Sequence, residues 1–257
     1  MKKLHYTANY IINPYHRVSV YLIGCGGTGS QVLTSLARIN IALQELGHPG
    51  LYVVAFDSDI VTEANLGRQL FSVNDLGLNK ANVLVTRINR FFGTDWDAVT
   101  DEYPNSPTPD GYTANITITC VDSVKARVEI GEFLRKNGQE GDQTSPYYWL
   151  DFGNTTDTGQ AVLGNIFTRK QPKNKNVKTV EKLKCVDELF DLSKVKEEDS
   201  GPSCSLAAAL RKQDLFINST LANLGCNLIW KLISQGCVEQ NGLYLNLKTM
   251  KVNPINL

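Results

Sequence analysis

Glycines at 24, 26 and 29, in the string GCGGTG, are spaced as G-x-G-x-x-G. That spacing lets a backbone turn sharply and approach a phosphate closely, while a following helix offers its free N–H groups and partial positive charge. Alone the pattern is weak, because a glycine turn also serves helix–strand packing. Asp57 follows Gly29 by 28 residues, at the end of an apolar run. A carboxylate there can accept hydrogen bonds from ribose hydroxyls, and a turn at Gly47, Pro49 and Gly50 absorbs the long spacing. The next residues are more informative. Asp57-Ser-Asp59, Asn65-Leu-Gly-Arg68-Gln69 and Gly77-Leu-Asn-Lys80 all stand within 24 residues. Arg68 offers a planar fork of donors to phosphate oxygens and Lys80 a point charge. A nicotinamide-dependent oxidoreductase needs neither directly after its acidic residue. A site that handles a triphosphate needs both.

The elements that must hold these residues are readable from periodicity. Residues 18–23 (VSVYLI) predict a buried strand, 24–29 a tight loop and 30–43 a helix with Val32, Leu33, Leu36, Ile39 and Leu43 on one face. Residues 51–56 (LYVVAF) predict a second strand, so the order is βαβ and the sheet parallel. A helix over 80–92, a loop excursion over 93–115, a strand over 116–121 and a helix over 124–135 follow. Strands over 147–152 and 161–167 come next. Between 170 and 199 eight lysines and seven acids make half the residues charged, which predicts an exposed, mobile segment. Residues 206–212 are helix-prone, 214–234 predict a long buried helix, and 243–252 alternate as a closing strand or hairpin. The fold class expected is α/β: a Rossmann-like, mostly parallel central sheet flanked by helices, with a mobile crossover loop and a C-terminal strand or hairpin.

Composition sets the outer limits. The 257 residues carry 26 Lys+Arg against 26 Asp+Glu, so no basic excess points to nucleic acid or a membrane surface. At 42% apolar content the chain can build a real core. No apolar run approaches the ~18–20 residues needed to span a bilayer, and MKKLHYTANY lacks the apolar stretch of a secretory signal. A cytoplasmic protein with free thiols is expected. The six cysteines include no C-x-x-C pair, so no zinc site is expected; Cys185, Cys204, Cys226 and Cys237 lack a diagnostic spacing. His5, His16 and His48 form no constellation and read as surface or satisfied residues.

GCGGTG, DSD, NLGRQ and GLNK, in this order, resemble the ThiF/MoeB/HesA family of ubiquitin-activating-type adenylating proteins, over about residues 18–235. The family's magnesium-holding aspartate at a strand end falls at Asp122 in ITITCVDS, although its usual asparagine neighbour is Ser123 here. TGQAVLG resembles the glycine-containing strand pair that follows. The stretch PSCSLAAALRKQDLFINSTLAN is similar to the ThiF-like proteins of PRTRC cassettes. The resemblance implies one adenylation domain over 1–257, with residues 170–203 as its charged crossover segment. It implies ATP and Mg²⁺, with Mg²⁺ on Asp122. Nucleotide-binding residues would be Gly24, Gly26, Gly27, Gly29, Asp57, Asp59, Asn65, Arg68, Gln69 and Lys80. Catalytic residues would be Arg68, Lys80, Asp122 and Cys204, the last a thiol ahead of the long helix, with Cys185 as second candidate.

The activity implied is adenylation of the C-terminal carboxylate of a small ubiquitin-like protein, followed by a thioester on cysteine. Adenylation of a small molecule or peptide, and a non-catalytic nucleotide-binding adaptor of a plasmid-borne cassette, are the alternatives. A homodimer is implied as well. Residues 1–17 do not show the arginine-bearing helix with which many relatives reach a partner's phosphate; His16 and Arg17 are the nearby cations.

Overall fold

The computed structural model describes residues 2–105, 113–138, 145–194 and 213–257. Its centre is an eight-stranded sheet. In chain order the strands are β2 (Val18–Ile23), β3 (Leu51–Phe56), β4 (Asp97–Val99), β5 (Ile116–Thr119), β6 (Tyr148–Asn154), β7 (Thr158–Asn165), β10 (Gln240–Asn246) and β11 (Lys251–Asn256). Across the sheet they run β11-β10-β7-β6-β5-β2-β3-β4. Pairing from β4 to β6 is parallel, and β6-β7, β7-β10 and β10-β11 are antiparallel. A small second sheet joins β1 (Lys3–Tyr6) to β8 (Lys178–Thr179) on one side and β9 (Cys237–Val238) on the other. The mostly parallel α/β architecture expected from the sequence is the one observed.

The central strands are apolar on both faces because both are covered. Val20, Leu22, Val53 and Ala55 point into a core shared with the helices α2 (Gly27–Glu45), α3 (Lys80–Phe92) and α6 (Ile217–Ser234). Tyr21, Ile23, Val54 and Phe56 point the other way, into a core with Trp149 and with Ile130 and Leu134 of α4 (Val124–Asn137). Among the described residues two short helices, α1 (Asn9–Ile12) and α5 (Val186–Leu189), complete the set; the helix-prone stretch 206–212 lies outside them.

Some boundaries differ from the sequence reading, each for a physical reason. Helix α2 starts at Gly27 rather than 30, so the second half of the glycine string is its first turn. Helix α6 starts at Ile217 rather than 214, because Asp214 accepts the Phe216 N–H in a turn at 2.8 Å. The excursion at 93–115 contains β4, a parallel edge strand beside β3. Within the charged stretch, Leu183, Cys185 and Val186 are buried and β8 pairs with β1, so residues 170–194 are anchored against the body. Lysines stand beside these apolar anchors in the sequence, so the composition conceals them.

His5 of β1 is fully buried, as a satisfied histidine should be. Its Nδ1 faces the Val180 carbonyl at 2.7 Å, which fixes the proton there, and Nε2 accepts from the Tyr148 hydroxyl at 3.1 Å. Burial pushes its pKa down to about 4. The unfolded chain therefore binds one more proton than the folded chain between about pH 6.5 and 4. Stability should be full above pH 6.5 and fall as pH drops through that window, by about 3 kcal/mol. Urea titrations at pH 7 and pH 4 test this; a His5→Asn variant with the same pH dependence would show that another group is responsible.

Candidate active site

Strand β2 is the first of the parallel set. The chain continues to β3 on one side and returns to β5 on the other, which makes a topological switch point at the carboxyl ends of β2 and β5. The glycine string lies at that point, and its glycines do different jobs. Gly24 has φ +90° and donates its N–H to Phe56 O at 2.9 Å. A Cβ there would meet Cys120 O at 2.8 Å, and one on Gly29 would lie 1.9 Å from Gly24 O. A Cβ on Gly27 would press on the Asn218 amide at 2.7 Å. Gly26 alone faces open space, with nothing within 4 Å of an added Cβ. Gly26 is also the N-cap of α2, and no side chain caps that end. The uncapped N-terminus and the open side of Gly26 coincide, which is the arrangement that accepts a phosphate.

Asp57 follows β3 and its carboxylate holds the loop in shape. Oδ2 accepts the Cys25 N–H at 2.6 Å and Oδ1 the Asp59 N–H at 2.9 Å. Burial pushes its pKa up, against the Cys25 N–H and the Lys80 ammonium, which pull it down. Each oxygen retains a further lone pair for a sugar hydroxyl.

Lys80 is the first residue of α3, and only 8% of it is exposed. A cation at a helix N-terminus opposes the helix dipole, so local helix stability does not account for it. Its Nζ reaches Asp59 Oδ2 at 2.7 Å, on a side chain 69% exposed. Asn79 caps the helix by accepting the Asn82 N–H and donates to the carbonyls of Asp57 and Asp59 at 2.7 and 3.1 Å. That amide staples the D-S-D turn to α3 and places Lys80 over it.

Arg68 arrives from the other side. Asn65 Oδ1 accepts the Thr62 N–H and hydroxyl at 2.8 and 3.0 Å and shapes the turn that leads to Arg68. The Leu70 N–H rests on Ser30 Oγ of α2 at 3.4 Å. The guanidinium of Arg68 donates to Gln213 Oε1, and its Nε is buried with no partner among the described residues. Gln69 Oε1 is likewise buried and, among the described residues, unpartnered. Burial lowers the Arg68 pKa. Among the described residues Arg127 and Arg135 are paired with Asp151 and Asp187, but no carboxylate lies within 4 Å of Arg68.

Asp122 is exposed, two residues beyond Cys120, whose N–H donates to Ile23 O at 2.8 Å. Ser123 caps α4 through Ala126 N–H at 3.3 Å, which accounts for a serine at that position. Beneath lies a buried network. Arg127 Nε donates to both oxygens of Asp151 at 3.0 and 3.1 Å, Thr119 donates to Asp151 at 2.6 Å, and Arg127 also donates to the Val121 carbonyl. This fixes the β5 end that carries Asp122. An exposed carboxylate beside a phosphate-ready loop is a donor set of hard oxygens, which suits Mg²⁺.

The predicted cations thus sit on two sides of one glycine loop, Lys80 through Asp59 and Asp57, Arg68 through Ser30 and Gln213. The sequence reading missed Asn79, Gln213, Asn218, Arg127 and Asp151. Asn79 carried a helix-start signal; the others find partners far along the chain. Cys185 is buried at the start of α5, and burial pushes its thiol up to about 12, which opposes a nucleophilic role. Cys204 lies outside the described residues.

A model of the ThiF family matches residues 13–255. The chain belongs to the ThiF family. Ubiquitin-like modifier-activating enzyme 5 of Aedes aegypti is 26% identical, over 47% of this chain and 32% of its own length. The enzyme of that name from Oryza sativa subsp. japonica is 24% identical over 61% and 37%. This ThiF-family chain spans about a third of the length of those relatives. Among solved structures, E. coli MccB with ATP is 16% identical and superposes with a TM-score of 0.56, covering 96% of this chain and 64% of its own. PaaA is 14% identical with a TM-score of 0.55, over 93% and 64%. At these identities the likeness is one of fold. No helix among the described residues is long and apolar enough to cross a membrane.

Proposed function

We propose that this ThiF-family chain uses ATP to adenylate a carboxylate, and that its substrate is the C-terminal carboxylate of a small ubiquitin-like protein. The reading is supported by Lys80 and Arg68, the latter without a carboxylate in reach among the described residues, on two sides of the open, uncapped glycine loop. The ubiquitin-like substrate is favoured by the relatives, whose name is ubiquitin-like modifier-activating enzyme 5.

In the reaction a carboxylate oxygen attacks the α-phosphorus. The bond from that phosphorus to the bridging oxygen breaks, and the electron pair leaves with pyrophosphate. The product is an acyl-adenylate. Both reactants are anions, so alignment and charge neutralisation are the main work of the site. The N-terminus of α2 receives phosphate, Asp57 accepts from the ribose, and Arg68 and Lys80 bear on the charge that develops on pyrophosphate. Asp122 is the residue that would hold Mg²⁺, which screens phosphate charge when bound. A thiolate at Cys204 would then take the acyl group with release of AMP. A homodimer and a cytoplasmic setting belong to the same reading.

ATP–pyrophosphate exchange tests it. Exchange should depend on a protein ending in a free flexible carboxylate, and Asp122→Ala should lower it by on the order of 10²-fold. ATP binding without exchange for any ubiquitin-like or peptide carboxylate would favour a nucleotide-binding adaptor instead.

A further inference from the structure

Arg68 is held by a neutral partner that is itself held in place. Gln213 Oε1 accepts from Arg68 Nη1 and from Asn218 Nδ2 at 3.0 Å, and Gln213 Nε2 donates to the Thr155 carbonyl at 3.3 Å. The amide cannot turn over without pressing its NH₂ on the guanidinium. Asn218, 3% exposed, is fixed in turn: its Oδ1 accepts from Thr28 Oγ1 in the first turn of α2 at 2.9 Å and from Asn154 Nδ2 at 3.3 Å. A continuous line of hydrogen bonds therefore runs from the phosphate-ready end of α2, through Asn218 and Gln213, to Arg68.

We propose that Gln213 is a positioning residue that rests Arg68 beside the glycine loop without neutralising it, and releases it to the oxygens of a triphosphate. This rests on the adenylation reading above. The chemistry of the partner is the point. The bond from the guanidinium to the amide is assisted by one charge, whereas a bond to a phosphate oxygen adds the attraction of opposite charges. An amide oxygen gives way to an anionic phosphate, whereas a carboxylate at the same place would compete with it. Among the described residues Arg68 also has no acceptor for one buried Nε–H, so it gains a bond by moving to a phosphate oxygen.

The test uses the full chain and isothermal titration with ATP and with AMP. Gln213→Glu keeps size and both acceptor contacts, adds a charge and gives up only the exposed bond to the Thr155 carbonyl. It should weaken ATP by about tenfold, the scale of one hydrogen bond to a charged group, and leave AMP unchanged. Gln213→Met keeps length without an acceptor and should weaken ATP by about threefold, again sparing AMP. It carries the test if the glutamate variant does not fold. Arg68→Ala is the control. ATP affinity unchanged in both Gln213 variants beside a weakened Arg68→Ala overturns the positioning role alone. Equal weakening of ATP and AMP makes Gln213 structural and overturns it as well. Unchanged ATP affinity in Arg68→Ala overturns the adenylation reading and the positioning role together.

Discussion

Arg68→Ala is expected to lower the rate of ATP–pyrophosphate exchange by about 10²–10³, the range for loss of one positioned donor at a site of developing charge. Thermal stability should hardly change. Among the described residues the guanidinium has one hydrogen-bond partner, the neutral amide of Gln213, and a buried Nε without any. Removing it deletes one modest bond and relieves one unmet donor, two effects of similar size and opposite sign. Arg68→Lys should recover only part of the rate, because an ammonium supplies charge without the planar fork. Lys80 differs. Its Asp59 partner is an exposed carboxylate, so Lys80→Ala frees a negative charge beside the phosphate path as well as removing a positive one. Exchange kinetics together with a melting curve separate the cases. A variant at 68 that loses activity and stability in proportion would make the arginine a structural brace and remove the main support for a triphosphate site.

How much of this was legible depends on how far each argument reaches along the chain. Strand β2, strand β3 and the helix between them follow from periodicity, because their residues answer to neighbours a few positions away. The start of α2 does not. Local preference places four glycines outside a helix, whereas the structure includes Gly27 and Gly29 because only glycine fits against Asn218 and the Gly24 carbonyl. Asp57, Arg68 and Lys80 were legible as types in order. Their settings were not: Lys80 meets Asp59 21 residues back, and Arg68 meets Gln213 145 residues on. The Arg127–Asp151 pair is invisible for the same reason, since nothing near either residue announces a buried partner. Ser123 could be read locally, as a helix cap in front of α4. Composition misled over 170–194, where an average over many lysines hides Leu183, Cys185 and Val186.

The glycine loop gives the second large effect, and its value lies in a contrast between two residues three apart. Gly29→Ala should fail in folding. Its methyl carbon would lie 1.9 Å from Gly24 O and 3.4 Å from Cys120 Cβ. Neither Gly24 nor the chain around it can retreat, because Gly24 is pinned by its φ of +90° and its bond to Phe56. A clash with backbone in a packed core belongs to the rare class that costs about 4 kcal/mol or more, which lowers the melting temperature by on the order of 10 °C in a chain of this size. Gly26→Ala should do the opposite. Its methyl meets nothing within 4 Å, so stability should stay within about 1 kcal/mol, the scale of replacing glycine at an N-cap. The space it fills is the space through which a phosphate must reach the N–H groups of α2. Crowding of that kind costs about 1–3 kcal/mol, or roughly 10–100-fold in ATP affinity. Melting curves and ATP titrations on the two variants read both halves. If Gly26→Ala binds ATP as the parent chain does, the nucleotide does not lie against this loop. The cations at 68 and 80 would then serve some other anion.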